Sequence, residues 1–528
     1  MSQVVAGLVT FPTGMLVDCM GATFTMFAGA LLNSGSWLLF GCIAKGVVRL
    51  DHPAAALSAL LPSATIGGAA VTAAVFSVLA KAFGDKRSGP IGIAKAWVGV
   101  ASGVATELFV SRFPSADDAP ERLGYCWFLA AACSLGAIPF VPLLRVPAQA
   151  EASPEVAGGD GLCIPEKSRV RFLTVVTVGL IVVVGGSALI GELVSGSTRD
   201  IEFFVICALF ASPALLLLPG RGRLLSGERR AESLAGDGDA EEVVVDERAT
   251  ASLVGDNGAP GAAVPPGRSP WEGGPSQMLR RIDAYLVWLT LFSLQSGGLL
   301  LTTNLGAITE SRSGPRVSAA TAVATFACCQ GLGRLMCGPL SDIIVRRHWP
   351  RPWCFVVSCM LMGLAHGLLC APGRVPLLGG VAIAGMSYGS LFPLLIVILA
   401  ELFGTARIAS NYMIYDGAPG AVSSIFIAKL LAQAVYQANT APGDGDKCIG
   451  DACFRLTHVL LSLMQVAGVA CAVTLAVRSS VVYQAIRRPA PSNGKEGHRP
   501  QRAPLGDDLE LGRMRNGNLK AGARGGDP

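Results

Sequence analysis

The chain has 528 residues, of which 51% are hydrophobic and 15% are charged. This composition excludes an ordinary soluble protein, because soluble domains carry about 25% charged residues. Apolar runs of about 18 to 25 residues, long enough to cross a bilayer core as helices, recur along the sequence. We therefore predict an all-α, polytopic membrane protein. Its net charge of +5 is distributed over loops, so we expect a lipid bilayer as its partner and no nucleic acid.

Residues 1–145 are predicted to form an N-terminal helical bundle that is incomplete. Its apolar runs are 4–16, 23–43, 54–79, 91–109 and 125–144. The first run is short and leads directly into a turn with Gly14, Asp18 and Gly21. Such a turn normally follows an earlier helix, so we expect that a first helix is missing through truncation or a misassigned start. The alternative is a chain with an odd number of spans.

The middle of the chain is predicted to be an insertion between two halves. Residues 146–171 read as a cytoplasmic linker, and 172–218 contain two inserted transmembrane helices. Residues 219–281 are rich in Gly, Glu, Asp, Arg and Pro, a composition typical of a disordered cytoplasmic linker.

The second half, residues 282–478, is predicted to be a six-helix bundle, and 479–528 a disordered cytoplasmic tail. Its apolar runs are 284–303, 318–340, 353–369, 377–400, 408–436 and 458–477. The whole chain then has about 13 transmembrane helices, if each apolar run crosses the bilayer once.

Basic residues are concentrated on alternate loops. The richest loop holds Arg346, Arg347 and Arg351, and an equivalent loop of the first half holds Lys81 and Arg87. Cytoplasmic loops of membrane proteins carry an excess of Lys and Arg. We predict that these loops, the linkers and the tail face the cytoplasm, in the plasma membrane or an internal membrane.

Most of the 15 cysteines lie inside apolar runs, where a thiol behaves as a small hydrophobic group. Cys448 and Cys453 instead share a polar loop that faces outside in this topology. A disulfide between them is therefore a candidate. We predict no metal site, because these two sulfurs with only His458 nearby fall short of four ligands.

Two loops combine glycine with charge at the end of an apolar run. A glycine near a helix end allows two helices to approach closely, and an adjacent Asp can form a charge-assisted bond that breaks when the halves move. We predict that these loops form a conformational gate; the alternative is simple helix-end capping. The gate candidates are Gly14, Asp18, Gly21, Arg334, Gly338, Asp342, Arg346 and Arg347.

Several stretches share the pattern of one known family. They are AFGDKRSGPIGIAKAWVGVASG in the first half, and GLLLTTNLGAI, GLGRLMCGPLSD, GMSYGSLFPLLIVILAELFGTARIASNY and CIGDACF in the second. In these stretches the chain resembles the nodulin-like branch of the major facilitator superfamily, which is related to the monocarboxylate transporters. The residues in matching places are Arg87, Gly92, Lys95, Asn304, Gly306, Gly333, Arg334, Gly338, Ser341, Asp342, Tyr388, Gly389, Pro393, Glu401, Leu402, Phe403, Gly404 and Asn411.

The resemblance covers about residues 10–145 and 280–485. It implies a two-bundle fold with two extra helices between the halves, and gate residues that do not touch substrate. Three features depart from the family pattern: the first helix is absent, Asp18 is not followed by basic residues, and Asp416 occupies a place where an uncharged residue is usual.

Ionisable residues within spans are candidates for the substrate pathway, since each costs about 3 kcal/mol at a helix centre. Lys95 and Lys429 could attract an anion, and Glu107 or Asp416 could take up a proton. The alternative for Lys95, Glu107 and Lys429 is that they reach towards the membrane surfaces. Asp416 lies beside Gly417–Gly420, where Pro419 predicts a helix break that could expose backbone groups to a cavity.

Gln295, Asn304 and Tyr388 complete the pathway candidates as polar residues able to bind a ligand. The sequence has no phosphate-binding loop, no dinucleotide fingerprint and no hydrolase or metalloprotease signature, so we expect neither an enzyme nor a cofactor. The prediction is a secondary transporter for a small organic solute, such as a monocarboxylate, with a proton as a candidate coupling ion. The alternatives are a non-transporting membrane receptor or scaffold on the same fold and, third, a channel.

Overall fold

Long apolar helices make up nearly all of the structure. It is a computed structural model that describes residues 2–112, 124–143, 166–190, 204–209, 211–213, 271–312, 317–440 and 447–487. Every regular element in these ranges is helical. Seven of the described helices are long and apolar enough to cross a membrane. The total of about 13 spans stays a prediction.

The first half contains five helices in the described ranges. They are α1 (Ser2–Met20), α2 (Ala22–Ala44), α3 (Pro53–Ala82), α4 (Ser88–Arg112) and α5 (Gly124–Ala137), which continues as a 3₁₀ segment, Ile138–Leu143. Each predicted apolar run of this half coincides with one of these elements. Only Gly21 separates α1 from α2, and its φ of +87° is one that a residue with a side chain rarely adopts.

Helix α6 (Glu166–Ile190) is the first of the predicted inserted helices and begins earlier than the predicted residue 172. It packs against both α4 and a helix of the second half. Trp97 Nε1 on α4 donates a hydrogen bond of 2.9 Å to Thr177 Oγ1 on α6. Of the second inserted span, residues 204–209 and 211–213 are described, and Ile206 packs into the same apolar cluster as Leu180 and Val184.

The second half contains six predicted apolar runs, and each lies on a described helix. The elements are α7 (Ile282–Ser311), α8 (Ala319–Arg346), α9 (Trp353–Leu369), α10 (Arg374–Phe403), α11 (Ile408–Ser423), α12 (Ala432–Ala438) and α13 (Ala452–Arg487). A π-helical segment, Ser424–Leu431, joins α11 to α12 without interruption. The last helix extends beyond residue 478, where the flexible tail was predicted to start.

The predicted helix break at Gly417–Gly420 is not present. Helix α11 remains α-helical to Ser423 with Pro419 inside it, and the irregular backbone lies further on, in the π-helical segment. A proline removes one backbone donor, but a neighbouring helix can stabilise the helix around it. Side chains of α11 pack on α7 here, with Gln295 Nε2 donating to the carbonyl oxygen of Tyr415 at 3.3 Å.

Two pairs of helices make the most extensive contacts between the halves: α1 packs against α11, and α4 packs against α8. Within the second half, α8 packs on α10 and α9 on α13, and the fully buried side chains of α10 form much of the core. Lys95 on α4 and Asp416 on α11 therefore lie in the contact zone between the halves, which positions the site described next.

Candidate functional site

Lys95, Tyr412 and Asp416 form a polar cluster that joins the two halves. Tyr412 and Asp416 are four residues apart on α11 and therefore share one helix face. Lys95 Nζ donates a hydrogen bond of 2.5 Å to Tyr412 Oη, and Tyr412 Oη donates to Asp416 Oδ1. Lys95 Nζ lies 3.9 Å from Asp416 Oδ1; the Lys95 side chain is 3% exposed and that of Asp416 22%. Lys95 therefore does not reach towards a membrane surface.

Aromatic rings surround the Lys95 ammonium. Its Nζ lies 4.2 Å from the ring centroid of Phe76, 5.0 Å from that of Tyr412 and 5.5 Å from that of Phe392. A cation close to aromatic faces gains about 0.5 to 2 kcal/mol per favourable contact, more when water is excluded. These rings, from α3, α10 and α11, partly replace the hydration that Lys95 loses on burial.

Arg334 on α8 is a second buried cation beside this cluster. Its Nη1 donates a hydrogen bond of 3.0 Å to the carbonyl oxygen of Lys95, and its Cζ lies 4.5 Å from the ring centroid of Phe392. Its Nε is buried, and no described residue accepts a hydrogen bond from it. Within the described part of the chain, Lys95 and Arg334 thus meet near one carboxylate, that of Asp416.

Asp416 also lines a cavity of about 440 Å³ in the first half. The cavity lies between α1, α2 and α3, and Asp416 is the residue of the second half that lines it. A volume of this size falls within the range of about 300 to 1,000 Å³ typical of small-molecule sites. The polar part of the lining consists of Thr10, Asn33, Trp37, Thr65, Thr72 and Asp416.

The predicted gate residues of the first half lie where α1 meets α11. A Cβ atom on Gly14 would lie 2.5 Å from the carbonyl oxygen of Ala409, so only glycine permits this approach. One turn later, Asp18 Oδ2 accepts hydrogen bonds from Ser410 N at 2.9 Å and from Ser410 Oγ at 2.5 Å. We call this contact the α1–α11 latch. Gly21 follows it as the joint between α1 and α2.

Of the predicted gate residues of the second half, Gly338 and Asp342 form the corresponding contact between α8 and α4, which we call the α8–α4 latch, whereas Arg334 lies in the cluster around Lys95. A Cβ atom on Gly338 would lie 2.5 Å from the carbonyl oxygen of Ser88. One turn later, Asp342 Oδ2 accepts a hydrogen bond from Ser88 Oγ. Each latch thus places a glycine, and then an aspartate four residues on, against a serine near the start of a helix in the other half.

The basic partner of Asp342 is Arg351, which was not among the predicted gate residues. Its Nη1 donates a hydrogen bond of 2.8 Å to Asp342 Oδ1, and its Nε donates bonds of 3.0 Å to both carboxylate oxygens of Glu401. Tyr483 Oη donates to Glu401 Oε2 at 2.6 Å. Although burial lowers the pKa of Arg351, Glu401 and the other polar neighbours outweigh this effect and raise it, so the guanidinium stays charged.

Arg346 and Arg347 are exposed, and within the described residues their side chains make no hydrogen bond or ion pair. After α8 the chain turns through His348, which has a φ of +67°, and this turn directs Arg351 rather than the earlier arginines back towards Asp342. The sequence signal that could have identified Arg351 is its position beside Pro350 and Pro352, which hold it at the start of α9.

The segment that precedes α7 packs on the turn between α10 and α11. Glu272 Oε2 accepts a hydrogen bond of 2.9 Å from Ala406 N, and Asn411 Nδ2 donates one of 3.0 Å to the carbonyl oxygen of Gly273. Gly404, at a φ of +82°, provides the close approach to Glu272. Residues 271–278 therefore belong structurally with the second half, although the predicted linker included them.

Gln295, Asn304 and Lys429 are not assembled around Lys95 and Asp416. Gln295 and Asn304 bond backbone carbonyls of neighbouring helices, Asn304 Nδ2 to Ala428 O at 2.9 Å, so both serve helix packing. Lys429 is exposed on the π-helical segment. Glu107 lies on α4, but its side chain is outside the described part of the structure.

Tyr388 lies closer to the cluster, because its ring contacts that of Phe392 edge to face at 5.2 Å between centroids. Phe392 thus touches Lys95, Arg334 and Tyr388. Sequence reasoning missed Phe76, Phe392 and Tyr412; the only available signal was the four-residue spacing of Tyr412 and Asp416.

Two further features involve cysteine and histidine side chains. The candidate pair Cys448 and Cys453 forms a disulfide that joins the preceding loop to the first turn of α13. His366 and His458 are buried between α9 and α13 with their Nδ1 atoms 3.0 Å apart. No group of three or more His, Cys, Asp or Glu able to hold a metal ion occurs within the described ranges.

Comparison with known protein families and sequences gives one match of each kind. Residues 271–484 match the family described as NFD4, C-terminal domain. The chain is 25% identical over 223 residues to the protein NUCLEAR FUSION DEFECTIVE 4 of Arabidopsis thaliana. That match covers 40% of this chain and 37% of the relative, so the chain spans about a third of the length of the relative it matches. The family match begins at Trp271, at the segment that packs on the α10–α11 turn.

Comparison with solved structures identifies the fold. The proton:xylose symporter XylE of the major facilitator superfamily, bound to 6-bromo-6-deoxy-D-glucose, aligns with a TM-score of 0.50 at 12% identity, over 89% of this chain and 83% of that chain. A bacterial homologue of the human drug peptide transporters PepT1 and PepT2 aligns with a TM-score of 0.45 at 14% identity, over 92% of this chain and 89% of that chain. The chain is an integral, multi-pass membrane protein with a major-facilitator-type fold.

Proposed function

We propose that this chain is a secondary transporter that moves a small organic anion by alternating access. The observation that supports this most directly is the Lys95–Tyr412–Asp416 cluster, which spans the two halves next to a cavity. A contact between halves that also borders a ligand-sized space is the arrangement that alternating access needs, because ligand binding can then change how the halves are joined.

The charge balance of the cluster favours an anionic substrate. Lys95 and Arg334 are both buried, and Arg334 has a buried Nε without a described acceptor. A buried cation is costly unless it is paired. A substrate carboxylate would supply the acceptor that Arg334 lacks and a second counter-ion beside Asp416.

Asp416 is the proposed proton site. Its side chain is 22% exposed and borders the cavity, whereas Lys95 is enclosed. Protonation of Asp416 would remove the counter-ion of Lys95 and leave this cation free for the substrate anion, so proton and anion would bind together. The other titratable or charged groups that face Asp416 are Tyr412 on its own helix, Arg334 on α8 and Tyr388 on α10.

We also propose that the chain belongs to the nodulin-like branch that its motifs resemble. The family match over 271–484 supports this, because it covers the half that contains most of the motif residues. Under this assignment the two latches act as the gate and do not touch substrate, whereas Arg334, which the resemblance also places in the gate, is proposed to bind substrate.

The experiment that tests the transport proposal is uptake of a panel of labelled organic acids into vesicles that contain the purified full chain. We expect uptake of at least one small carboxylate that is accelerated by an inward proton gradient and abolished by a protonophore. Binding of an acid without any uptake would contradict transport and favour a receptor on the same fold. Uptake of neutral or cationic solutes alone would contradict the anionic substrate.

A further inference from the structure

The cavity between α1, α2 and α3 has a lining whose chemistry is distinct from that of the charged cluster. None of its described lining residues is Lys or Arg, and its one charged group is Asp416. The remaining polar lining consists of hydroxyl groups, one amide and one indole. A carboxylate alone would find no counter-ion in this space, so the cavity suits a different part of a ligand.

The hydrogen bonds made by Asn33 and Thr65 leave the side-chain oxygen atoms of both residues as acceptors. Asn33 Nδ2 donates to the carbonyl oxygen of Ala64 at 2.9 Å, and Asn33 Oδ1 is buried and accepts no hydrogen bond from the described residues. The Thr65 hydroxyl donates to the carbonyl oxygen of Leu61 at 2.9 Å. Once the proton of a hydroxyl is used in this way, its oxygen can only accept.

A ligand that satisfies these acceptors must donate hydrogen bonds. Asn33 Oδ1, Thr65 Oγ1 and the Asp416 carboxylate are all acceptors, and a buried acceptor such as Asn33 Oδ1 is costly to leave without a donor. Alcohol hydroxyls and ammonium groups both donate. An ammonium group is disfavoured because Lys95 Nζ lies 3.9 Å from Asp416, so a second cation at this carboxylate would be repelled.

We infer that the substrate of this chain is a hydroxylated carboxylic acid, whose hydroxyl groups occupy the cavity while its carboxylate binds Lys95 and Arg334. This inference rests on the proposed function and specifies its substrate class. Trp37, whose side chain lines the same cavity, would pack on the C–H groups between the hydroxyls, as aromatic rings offer large apolar contact surfaces. Asp416, when protonated, would remain an acceptor for one hydroxyl through its carbonyl oxygen.

The test compares matched acids with and without hydroxyl groups on the full chain in lipid nanodiscs. The pairs are glycerate with propionate and gluconate with hexanoate, measured by equilibrium binding at one fixed pH. We expect the hydroxylated member of at least one pair to bind about 10-fold more tightly or better, since each tenfold corresponds to about 1.4 kcal/mol and a site built to bond a hydroxyl rejects the analogue without it.

Substitutions of residues that line the cavity test whether the preference for hydroxylated acids arises there. Asn33→Leu and Thr65→Val each remove an acceptor at nearly constant size, and we expect both to lower the hydroxyl preference severalfold with little change in binding of propionate or hexanoate. Ser63→Ala is the matched control, because Ser63 lies on α3, donates to Ala59 O and is not part of the cavity lining. If Asn33→Leu does not fold, Thr65→Val still tests the assignment.

Two results would overturn the inference. One is equal binding of both members of each pair by the wild type, and the other is a preference that persists unchanged in both cavity variants. Proton-driven uptake of unsubstituted acids would then still support the proposed function. If no organic acid is bound or transported at all, the proposed function fails and the inference fails with it.

Discussion

At the residue scale, the two members of the buried ion pair are not equivalent. Lys95 is enclosed by rings from three helices, whereas Asp416 borders the cavity. The Asp416 carboxylate can therefore contact water more readily than the Lys95 ammonium can. This difference is the reason that the proposed mechanism assigns the proton to the carboxylate rather than to the ammonium.

The first prediction concerns the pH dependence of transport. In the wild type, uptake should rise as the pH on the substrate side falls, because protonation of Asp416 frees Lys95 for the anion. Asp416→Asn imitates the protonated state at every pH, so its uptake should be nearly independent of pH. The measurement is the initial uptake rate into vesicles at a series of external pH values. An Asp416→Asn variant that keeps the wild-type profile would remove this residue from the proton path.

The second prediction concerns stability. Asp416→Asn leaves the Lys95 ammonium buried without a counter-ion, which should destabilise the chain by on the order of 3 kcal/mol. Lys95→Met should cost less, because a carboxylate that is 22% exposed can recover hydration. The double variant should be more stable than Asp416→Asn alone. Thermal unfolding in detergent measures all three, and strictly additive effects would show that the two side chains do not interact.

At the element scale, two helix–helix contacts of the same kind, the α1–α11 latch and the α8–α4 latch, connect the halves. In both latches a glycine allows two helices to touch, and an aspartate one turn later bonds a serine near the start of the opposing helix. Because the bonds lie at helix ends, each can break without disturbing the hydrogen bonds inside the helices. The α8–α4 latch has the additional support of Arg351 and Glu401.

The third prediction tests the α8–α4 latch. Asp342→Asn weakens the bonds to Ser88 and Arg351 but keeps the size of the side chain. It should lower the transport rate about 10-fold, because one broken charge-assisted bond of about 1.4 kcal/mol corresponds to a tenfold change. Surface expression should change less than about twofold. Arg347→Gln is the control, since Arg347 is exposed and should transport normally. Uptake and cell-surface labelling are measured together. Equal losses of both would mean that Asp342 serves folding instead.

At the scale of the whole molecule, the predicted topology places the polar loops on alternate sides of the membrane. Residues 219–270 precede the second half, and the Cys448–Cys453 disulfide lies at the start of its last helix. In the predicted topology, the first of these regions faces the cytoplasm and the second faces outside, where an oxidising environment permits a disulfide.

The fourth prediction tests this topology. An epitope or single reactive cysteine placed near Gly227 should be labelled only after the cells are permeabilised, whereas one near Asp446 should be labelled in intact cells. The pair is measured with a membrane-impermeant reagent on sealed cells. Labelling of both positions from the same face would contradict the alternating arrangement of the spans.

Sequence reasoning could predict the apolar helices, because a span needs a long uninterrupted run that hydropathy reveals directly. It could also predict Gly14, Asp18, Gly338 and Asp342, since glycine followed by aspartate at helical spacing is a local pattern. It could not predict that Asp18 meets Ser410, because such partners are far apart in the sequence and meet only through packing.

The same limit applies to the Lys95–Tyr412–Asp416 cluster. Lys95 and Asp416 were recognised as costly charges within apolar runs, but nothing local indicates that Tyr412 lies between them. Lys429 and Asn304 met the same sequence criteria, yet the structure directs Lys429 outwards and uses Asn304 to bond Ala428. The rotation of each helix about its own axis decides whether such a side chain faces a neighbouring helix or the outside. In a helix that is apolar on all sides, the sequence gives little information on this rotation.

The two latches differ in the number of their bonding partners, and this difference would give the proposed alternating-access motion a direction. Asp18 bonds Ser410 alone and has a buried oxygen without a described partner, whereas Asp342 is held from both sides by Ser88 and Arg351. Helix α6 also lies across α4 and α8. We therefore expect the molecule to open as a wedge, with separation starting between α1 and α11 and α4 and α8 acting as the pivot.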